Sequence, residues 1–379
     1  MAPVSLAGVL ATYGPAYLAH DALPRGGAKV WRAILACRTA ALGGHLEACT
    51  GCGQTRHVYH SCRNRHCPQC QTRAKEAWLA ARRREVLPVP YFHLVFTLPH
   101  ALNGLIAAAP RQLYENLFAA ASATLTEFAA SPRHLGGVSA FSLVLHTWKQ
   151  DLGRHVHVHA LVAGGALADT GEWRTPKKGF LFPVRALSRM FRGKFVAGLD
   201  RLWCQGQLPD VLDLAARQRL KQELYAHDWV VYAKQPLGGP EAVLGYLGRY
   251  THRVAISNER ILSIADGEVR FRVRADAARG RKRTVCLPAT EFIRRFLHHV
   301  LPTGFKRIRH YGLLAPTSKK LGLAAARQAL DVPPPVPAVI ESVAAFMQRV
   351  GQFERCHCPR CGTGVFRVVA AIPPVRGPP

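Results

Sequence analysis

The sequence predicts an α+β fold in which an antiparallel sheet is flanked by helices. From residue 89 onward, apolar runs of strand length and Ala/Leu-rich helical stretches follow one another in the order strand, helix, strand, strand. The second and third of these strands are separated only by the turn at 151–154, as in an antiparallel hairpin. A Cys-rich stretch at 49–70 lies before them. We therefore expect a small N-terminal metal-binding domain followed by the α+β domain.

The elements before residue 89 follow from local patterns. Leu10, Tyr13 and Tyr17 recur near helical spacing, and the Cys-rich stretch has no regular period. Pro88 and Pro90 mark a boundary, because proline cannot continue a helix. In chain order, these patterns predict a helical region at 1–45, a loop at 49–70 and a basic helix at 72–87.

After the boundary, β-branched and aromatic runs predict strands and Ala/Leu-rich runs predict helices. The turn Asp266-Gly267 predicts a β-hairpin over 261–274, and the Pro-rich segment 332–337 predicts a stiff linker before a short tail. The predicted strands are 91–98, 141–148, 155–162 (ending at Gly164-Gly165) and 229–233. The predicted helices are 101–130, most of 186–226 and a helix after Pro240. The predicted domains are 1–88, 89–330 and 331–379.

The net charge points to a polyanionic partner. The chain of 379 residues holds 51 Lys+Arg against 23 Asp+Glu, a formal charge of +28, while 49% apolar residues indicate a folded protein. Most of the excess lies in residues 56–84 and 249–320. The sequence contains no run of 18 apolar residues, so it predicts no membrane span. The first residues lack the basic region of a signal peptide. We therefore expect a cytoplasmic, nucleoid-associated protein that binds nucleic acid.

Two C-x-x-C pairs predict a structural zinc site. Cys49 and Cys52 form the first pair, Cys67 and Cys70 the second, and 14 residues separate them. Zn²⁺ favours four soft ligands in a tetrahedron, and a C-x-x-C turn supplies two of them. Such clustering also indicates a reducing compartment rather than a disulfide framework.

Further cysteines leave the ligand set open. Cys62 and His66 lie between the two pairs. They are candidates either for a second metal site or for substitute ligands of the first. The tail carries Cys356, Cys358 and Cys361, with a single C-x-x-C and no second pair.

A histidine-rich strand predicts a second kind of metal site. Side chains alternate along a strand, so His155, His157 and His159 lie on one face. Imidazoles that converge on one side form a metal site. A strand alone does not saturate a metal ion, and the candidates for a further ligand are His146, Gln150 and His155 itself.

Two tyrosines follow at helical spacing. Tyr246 and Tyr250 are four residues apart and so share one helix face, with Arg249 and Arg253 on the same helix. Alone, this pattern is typical of aromatic packing. Beside a metal site it suggests strand cleavage, because a phenol oxygen is a nucleophile and arginines hold phosphates.

Together these segments resemble the two-tyrosine HUH transposases of the insertion sequence 91 type. They occur in the family's order and span residues 49 to 314. The matching segments are Cys49–Gln71, His146–Gly165, Tyr246–Asn258 and Phe292–Leu314. The resemblance implies an HUH endonuclease-type sheet, an N-terminal zinc domain, and catalytic tyrosines at Tyr246 and Tyr250.

The resemblance also implies a mechanism. It places the metal-binding pair on His157 and His159, holding Mg²⁺ or Mn²⁺, although Val156 stands where a Pro is usual and His155 offers a second H-x-H. One tyrosine attacks the phosphodiester at an element end, which gives a 5′-phosphotyrosine and a free 3′-OH. No nucleotide cofactor is needed, because the covalent link keeps the bond energy.

The implied partner is single-stranded DNA at the element ends and at the target. Arginines of the basic stretches are its candidate contacts, and the candidates are Arg63, Arg65, Arg249, Arg253, Arg294, Arg295, Arg307 and Arg309. Alternative functions are a zinc-dependent DNA-binding regulator, an HUH replication initiator or relaxase, and a metal-dependent RNA-processing enzyme.

Overall fold

The computed structural model of the protein describes residues 4–176, 181–237, 254–274, 281–335 and 357–375, and the single positions 242, 243, 245, 248, 345 and 349. The helices are α1 (Leu6–His20), α2 (Gly27–Ala36), α3 (Gln71–Arg83), α4 (Asn103–Ala108), α5 (Pro110–Ala130), α6 (Val184–Cys204), α7 (Leu214–Ala226), α8 (Ala289–Leu297) and α9 (Lys319–Ala329). Among these described residues, no helix has the length and apolar character that crossing a membrane requires.

The strands complete the element order. They are β1 (Gly44–Cys49), β2 (Thr55–Tyr59), β3 (Tyr91–Thr97), β4 (Val138–Trp148), β5 (Arg154–Leu167), β6 (Trp173–Arg174), β7 (Val231–Leu237), β8 (Ile261–Ala265), β9 (Glu268–Arg274), β10 (Lys282–Pro288), β11 (Ile308–Gly312) and β12 (Phe366–Ile372).

The chain divides into two compact units. Unit 1 consists of Met1–Ala74, Ile256–Ile293 and Pro337–Pro379, and unit 2 of Lys75–Ala255 and Arg294–Val336. The predicted boundaries at 88/89 and 330/331 do not coincide with this division. The reason is strand pairing over long sequence distances, such as β12 with β1, which a local sequence pattern does not encode.

Unit 2 is built on an antiparallel sheet with the order β11-β4-β5-β3-β7, and β6 pairs with β5 beside this path. β5 is therefore flanked by β4 and β3. In the turn between β4 and β5, Leu152 has φ 64° and the Gly153 N–H donates to Asp151 Oδ1 at 3.0 Å. The predicted α+β class with an antiparallel sheet is confirmed.

The two faces of this sheet have different surroundings. On one face, Phe96, Val158 and neighbouring apolar side chains form the core with Phe118 of α5 and Phe191 of α6. The opposite face is covered over part of its area by a smaller cluster, in which Leu161 and residues of its neighbouring strands contact Leu323 of α9. The rest of that face carries the histidines.

Unit 1 contains two three-stranded sheets, β12-β1-β2 and β10-β9-β8. The β8–β9 turn has Asp266 at φ 52° and Gly267 at φ 76°. Left-handed conformation at both central residues is the type I′ turn of a two-residue hairpin, so the predicted hairpin is confirmed. The Gly267 N–H also donates to Tyr13 Oη of α1 at 3.1 Å.

Other elements differ from the sequence prediction. The helical region at 1–45 breaks around Gly26 and ends before β1, and the predicted loop at 49–70 contains β2. The third predicted strand does not end at Gly164-Gly165 but continues to Leu167 as β5. A Cβ at Gly165 would lie 2.6 Å from Trp173 Cε2, so glycine is required here by β6 rather than by a turn. The predicted helix after Pro240 lies mostly outside the described residues.

Candidate metal centres and catalytic site

Three histidines converge on the central strands of unit 2. On β5, Val156 and Val158 point into the core, so His155, His157 and His159 share the opposite face as predicted. β4 pairs with β5 in a register that sets His146 beside His157. The metal-ligating nitrogens of His146, His157 and His159, here called the histidine trio, all lie within 4.8 Å of one another.

Hydrogen bonds orient two of these rings. His157 Nδ1 lies 2.9 Å from the His155 carbonyl oxygen, which only accepts, so Nδ1–H donates and Nε2 keeps its lone pair. The Nε2 atoms of His157 and His159 lie 3.1 Å apart. Bonds of about 2.1 Å to one ion separate two nitrogens by about 3.0 Å when perpendicular and about 3.4 Å in a tetrahedron. The observed distance therefore fits shared coordination.

A fourth histidine supports the trio from β3. His93 Nε2 lies 2.9 Å from His159 Nδ1, and the two rings stack at 5.1 Å. If His159 Nε2 binds a metal ion, its Nδ1–H donates to His93 Nε2. Metal-binding histidines commonly donate their second N–H to such a partner, which fixes the ring and its tautomer. No local sequence pattern identified His93, because the partner strand of β3 is fixed by long-range pairing.

The other two candidates for a further ligand lie outside the trio. The His155 ring contacts the rings of His157 and His100, at 4.9 and 5.8 Å between centroids. Burial lowers the pKa of His155. Gln150 lies in the turn after β4. Of the two histidine candidates, the structure brings His146 into the group, and Gln150 stays a prediction.

Eight of the described cysteines form two separate groups of four, both within unit 1. We name the first the loop cluster, which consists of Cys37, Cys62, Cys67 and Cys70. We name the second the tail cluster, which consists of Cys49, Cys52, Cys358 and Cys361. In each cluster the Sγ atoms all lie within 4.8 Å of one another.

These groups correct the predicted zinc ligand set. The two C-x-x-C pairs at 49–52 and 67–70 do not share a site, because each pairs with cysteines from elsewhere in the chain. The candidate Cys62 belongs with the second pair, 3.7 Å from Cys70 Sγ, and the candidate His66 belongs to neither group. Cys37 was missed because it is a lone cysteine at the end of α2, and Cys356 lies outside the described residues.

The thiol chemistry of both clusters suits a cation. A hydrogen bond from Cys67 lowers the pKa of Cys70 to about 5, and burial raises the pKa of Cys62 to about 12. In the tail cluster, backbone hydrogen bonds from Gly364 and Thr363 lower the pKa of Cys361 to about 6. Thiolates packed this closely repel one another, so a bound cation is needed for all four to ionise.

The sequence is similar to transposases along its whole length. One matching family model is described as "Transposase zinc-binding domain" and covers residues 9–98, and another is described as "Putative transposase" and covers residues 140–321. The chain is 44% identical over 386 residues to "Putative transposase y4qJ" of Sinorhizobium fredii (strain NBRC 101917 / NGR234), covering 99% of this chain and 97% of the relative. The chain belongs to the insertion sequence 91 family of transposases.

A second relative of this transposase is the "Transposase for insertion sequence element IS801" of Pseudomonas savastanoi pv. phaseolicola. The two are 28% identical over 289 residues, which cover 74% of this chain and 68% of the relative. Among solved structures, the conjugative relaxase TrwC in complex with mutant OriT DNA matches with a TM-score of 0.23 and 15% identity over 41% of this chain and 71% of that chain.

The predicted tyrosines, Tyr246 and Tyr250, lie outside the described residues, as do Arg249 and Arg253. Both tyrosines fall within the transposase match at 140–321. Val243, just before them, is fully buried in the cluster that covers the histidine-bearing face of the sheet.

The remaining arginines that are candidates for DNA contact differ in their exposure to solvent. Arg63 is exposed, whereas burial lowers the pKa of the half-buried Arg65. Arg294 and Arg295 lie in the last turn of α8 and are half-buried.

Two further candidates, Arg307 and Arg309, are partly or largely buried. Arg307 is 9% exposed, and Arg309 donates to both carboxylate oxygens of Glu115 at 2.6 and 2.8 Å while its guanidinium lies 4.2 Å from the Phe118 ring centre. That these two arginines contact DNA stays a prediction, and both side chains already make contacts within unit 2.

An exposed basic face was missed by the sequence analysis. On β9, Val269, Phe271 and Val273 are buried, so the arginines at 270, 272 and 274 point to solvent. β10 pairs with β9 so that the exposed Lys282 lies opposite Arg274. The alternation V-R-F-R-V-R at 269–274 is the sequence signal from which this face was predictable.

Proposed function

We propose that this transposase cuts and rejoins single-stranded DNA at the ends of its insertion element through 5′-phosphotyrosine links, in a rolling-circle type of transposition. The observation that carries this proposal is the histidine trio. Its three imidazoles meet on the central strands of an antiparallel sheet, in a chain that belongs to a transposase family. Metal-binding groups in such a position suit polarisation of a phosphodiester rather than DNA binding alone.

The donor set fits a divalent cation. Held by the histidine trio, a cation supplies Lewis-acid polarisation of the scissile phosphate. His93 and the His155 carbonyl fix the ring orientations of His159 and His157, so these two nitrogens need little rearrangement to bind an ion. Imidazole donors suit Mn²⁺ better than Mg²⁺, because Mg²⁺ prefers oxygen ligands and keeps its waters. Of the two predicted cations, we therefore favour Mn²⁺.

The nucleophile in this proposal is Tyr246 or Tyr250, taken from the family resemblance. The phenol oxygen forms a bond to phosphorus as the bond to the 3′ oxygen breaks. The phenol gives up its proton and the 3′ oxygen gains one, which leaves a 5′-phosphotyrosine and a free 3′-OH. Attack by a 3′-OH on the phosphotyrosine reverses these changes and joins strands. No external energy source is needed, because one phosphodiester replaces another.

Packing of two described residues supports this assignment. Val243 is buried against residues of the histidine-bearing sheet face, including Leu161 of β5. A Cβ at Gly248 would lie 3.0 Å from Leu79 Cδ1 of α3, and Leu79 packs against the same cluster. Val243 and Gly248, the described positions nearest to Tyr246 that carry these contacts, thus lie against the apolar cluster of the face that carries the trio, which supports this assignment.

The test is formation of a covalent adduct. Single-stranded oligonucleotides that cover both element ends, labelled at the 3′ end, are incubated with the protein and Mn²⁺. A 5′-phosphotyrosine retains the 3′ part of the strand, so we expect a labelled protein band on a denaturing gel. The Tyr246→Phe/Tyr250→Phe variant removes both phenols, and the adduct should fall by at least about 10³-fold. Tyr225→Phe, at an exposed position of α7, is the matched control and should keep the adduct.

The opposite results have clear meanings. An adduct that persists in the double variant would show that another residue is the nucleophile. If wild-type protein binds these strands but forms no adduct with any of them, the protein is a DNA-binding regulator instead. A replication initiator or relaxase would form the same adduct, so joined products are also scored when both element ends are present.

We infer that the exposed face of β9 and β10 contacts the DNA backbone. Its members are Arg270, Arg272, Arg274 and Lys282. Arg270 also pairs with Glu268 at 3.5 Å, but the remaining three have side chains on the same exposed face. Each phosphate contact with a basic side chain releases counterions, which makes binding depend on salt.

We expect the Arg272→Ala/Arg274→Ala/Lys282→Ala variant to bind single-stranded DNA more weakly and with less salt dependence. Loss of three phosphate contacts should reduce the slope of log affinity against log salt by about 2, at about 0.7 per contact. Fluorescence anisotropy at several salt concentrations measures both the affinity and its dependence on salt. The control Arg185→Ala/Arg189→Ala/Arg219→Ala removes the same charge from exposed positions of α6 and α7. Equal slopes for the two variants would mean that the β9–β10 face does not contact DNA.

A further inference from the structure

The tail cluster has the dimensions of a zinc site. Cys49 Sγ lies 3.7 Å from Cys361 Sγ, and Cys52 Sγ lies 3.6 Å from Cys358 Sγ. A tetrahedron with Zn–S bonds of about 2.3 Å has sulfur–sulfur edges of about 3.8 Å. A disulfide bond would need about 2.05 Å between two of these atoms. The four sulfurs are therefore spaced for a shared ion and not for disulfides.

The two halves of the tail cluster share one local design, which the sequence repeats as C-x-x-C-G at 49–53 and 358–362. The Gly53 N–H donates to the Cys49 carbonyl at 3.0 Å, and the Gly362 N–H donates to the Cys358 carbonyl at 2.8 Å. Both glycines are left-handed, at φ 70° and 71°. This turn brings the two sulfurs of each pair to one side, as in metal-binding C-x-x-C turns.

Backbone N–H groups also point at the sulfurs. The Gly51 N–H donates to Cys49 Sγ and the Gly364 N–H donates to Cys361 Sγ, both at 3.3 Å. Such bonds favour thiolates, the form that binds metal ions. A Cβ at Gly364 would lie 2.6 Å from the Gly51 nitrogen, so the two halves meet at a distance that only glycine permits at this position.

The tail has few apolar contacts to hold it in place by other means. β12 pairs with β1 from Gly44↔Ile372 to Cys49↔Phe366, yet most of its residues are exposed, Val368 by 62% and Val369 by 58%. The described contacts that join it to the rest of unit 1 include this strand pairing, hydrogen bonds of Val365 with Thr50 and of Val375 with Ala40, and the Arg56 guanidinium 3.8 Å from the Phe366 ring. The tail cluster adds to these mostly polar contacts. An edge strand with so little buried area needs another source of stability.

We propose that the tail cluster binds a second structural zinc ion, which fixes the C-terminal strand β12 to β1 of the N-terminal sheet. Four thiolate ligands with no open position select Zn²⁺ over oxygen-preferring cations and leave no place for a substrate. The zinc-binding match ends at residue 98, so it includes only Cys49 and Cys52 of this site. The loop cluster, by contrast, lies wholly within that match and forms the first site.

The test is metal content of the full-length protein. Purified wild-type protein should hold two zinc ions per chain by elemental analysis. Both Cys358→Ser/Cys361→Ser and Cys62→Ser/Cys70→Ser should hold one. Cys204→Ser/Cys286→Ser removes two exposed cysteines outside the clusters and should hold two. One zinc ion in the wild type, or two in the Cys358→Ser/Cys361→Ser variant, would overturn the proposal, as would iron in place of the second zinc ion.

Two further measurements keep the test valid if a variant folds poorly. X-ray absorption at the zinc edge of the wild type should give only sulfur neighbours, four per zinc at about 2.3 Å. Nitrogen or oxygen neighbours would contradict two all-cysteine sites. Hydrogen exchange should show that the β12 amides lose protection at least tenfold in Cys358→Ser/Cys361→Ser, while β3–β5 amides stay protected. Unchanged protection of β12 would contradict the fixing role.

Discussion

Replacing His157 or His159 with alanine is expected to lower the rate of strand cleavage by about 10³-fold. Each change removes one imidazole from the histidine trio and leaves an incomplete coordination set. Lewis-acid polarisation is worth several kcal/mol in the transition state, and each 1.36 kcal/mol is a factor of ten in rate. Single-turnover cleavage of an element-end strand in Mn²⁺ measures the rate, and thermal unfolding checks that each variant is folded.

His155→Ala is the matched control for this prediction. His155 lies on the same strand and face as His157, with ring centroids 4.9 Å apart, but outside the trio. Cleavage by His155→Ala should stay within a few-fold of wild type. If His155→Ala abolishes cleavage and His159→Ala does not, the metal-binding pair is His155 and His157. If neither His157→Ala nor His159→Ala slows cleavage, the trio is not the catalytic metal site.

His93 supplies a graded comparison within the same experiment. Its contact with His159 Nδ1 at 2.9 Å orients the ring but does not place His93 in the trio. Removal of such a supporting partner typically costs 10- to 100-fold in metal affinity. His93→Ala should therefore raise the Mn²⁺ concentration that gives half-maximal cleavage by about that factor. The rate at saturating Mn²⁺ should recover, whereas the rates of the trio variants should not.

Strand periodicity alone was enough to predict part of the histidine site. Alternation along β5 placed His157 and His159 on one face without knowledge of neighbouring strands. The third member, His146, depended on the register of the β4–β5 hairpin, since a shift of one residue moves it to the core face. His93 depended on the pairing of β3 with β5, more than 60 residues away in sequence, and no local signal fixes that contact.

The cysteines show that local spacing does not predict which parts of the chain meet at a metal site. Spacing within each C-x-x-C pair correctly indicated two sulfurs from one turn, but it carries no information on which pairs meet. The prediction joined the pairs at 49–52 and 67–70 because they are neighbours in sequence. In the structure β12 returns to β1, so Cys358 and Cys361 reach the first pair, and Cys37 at the end of α2 completes the second.

The basic residues differ in burial and in ion pairing, and a count of charges along the sequence does not show these differences. Arg309 and Arg272 lie in the same basic stretch, yet Arg309 is held by Glu115 and Phe118 while Arg272 points to solvent. The difference follows from strand alternation on β9 and from the packing of β11 near α5. Periodicity identifies exposed arginines on a strand, whereas an ion pair across 194 residues is invisible to it.

Cys37→Ser is expected to release one zinc ion and to unfold the part of unit 1 around the loop cluster. Cys37 is the buried C-cap residue of α2, and its Sγ accepts a hydrogen bond from the Cys62 N–H at 3.5 Å. Serine is a poor zinc ligand, so three thiolates remain. A structural zinc site contributes about 10–16 kcal/mol, as much as or more than the typical stability of a domain, about 5–15 kcal/mol. Partial loss of that energy is enough to destabilise the fold around it.

Hydrogen exchange with peptide resolution measures this effect. Amides of α2 and of residues 62–70 should lose most of their protection in Cys37→Ser, while those of β3–β5 in unit 2 should keep theirs. Cys204→Ser, at an exposed position, is the control and should match the wild type. The result should also separate the two clusters, because Cys37 belongs only to the first. Full zinc content with unchanged exchange in Cys37→Ser would mean that Cys37 is a buried thiol and not a ligand, and the loop site would then have three cysteines and a different fourth donor.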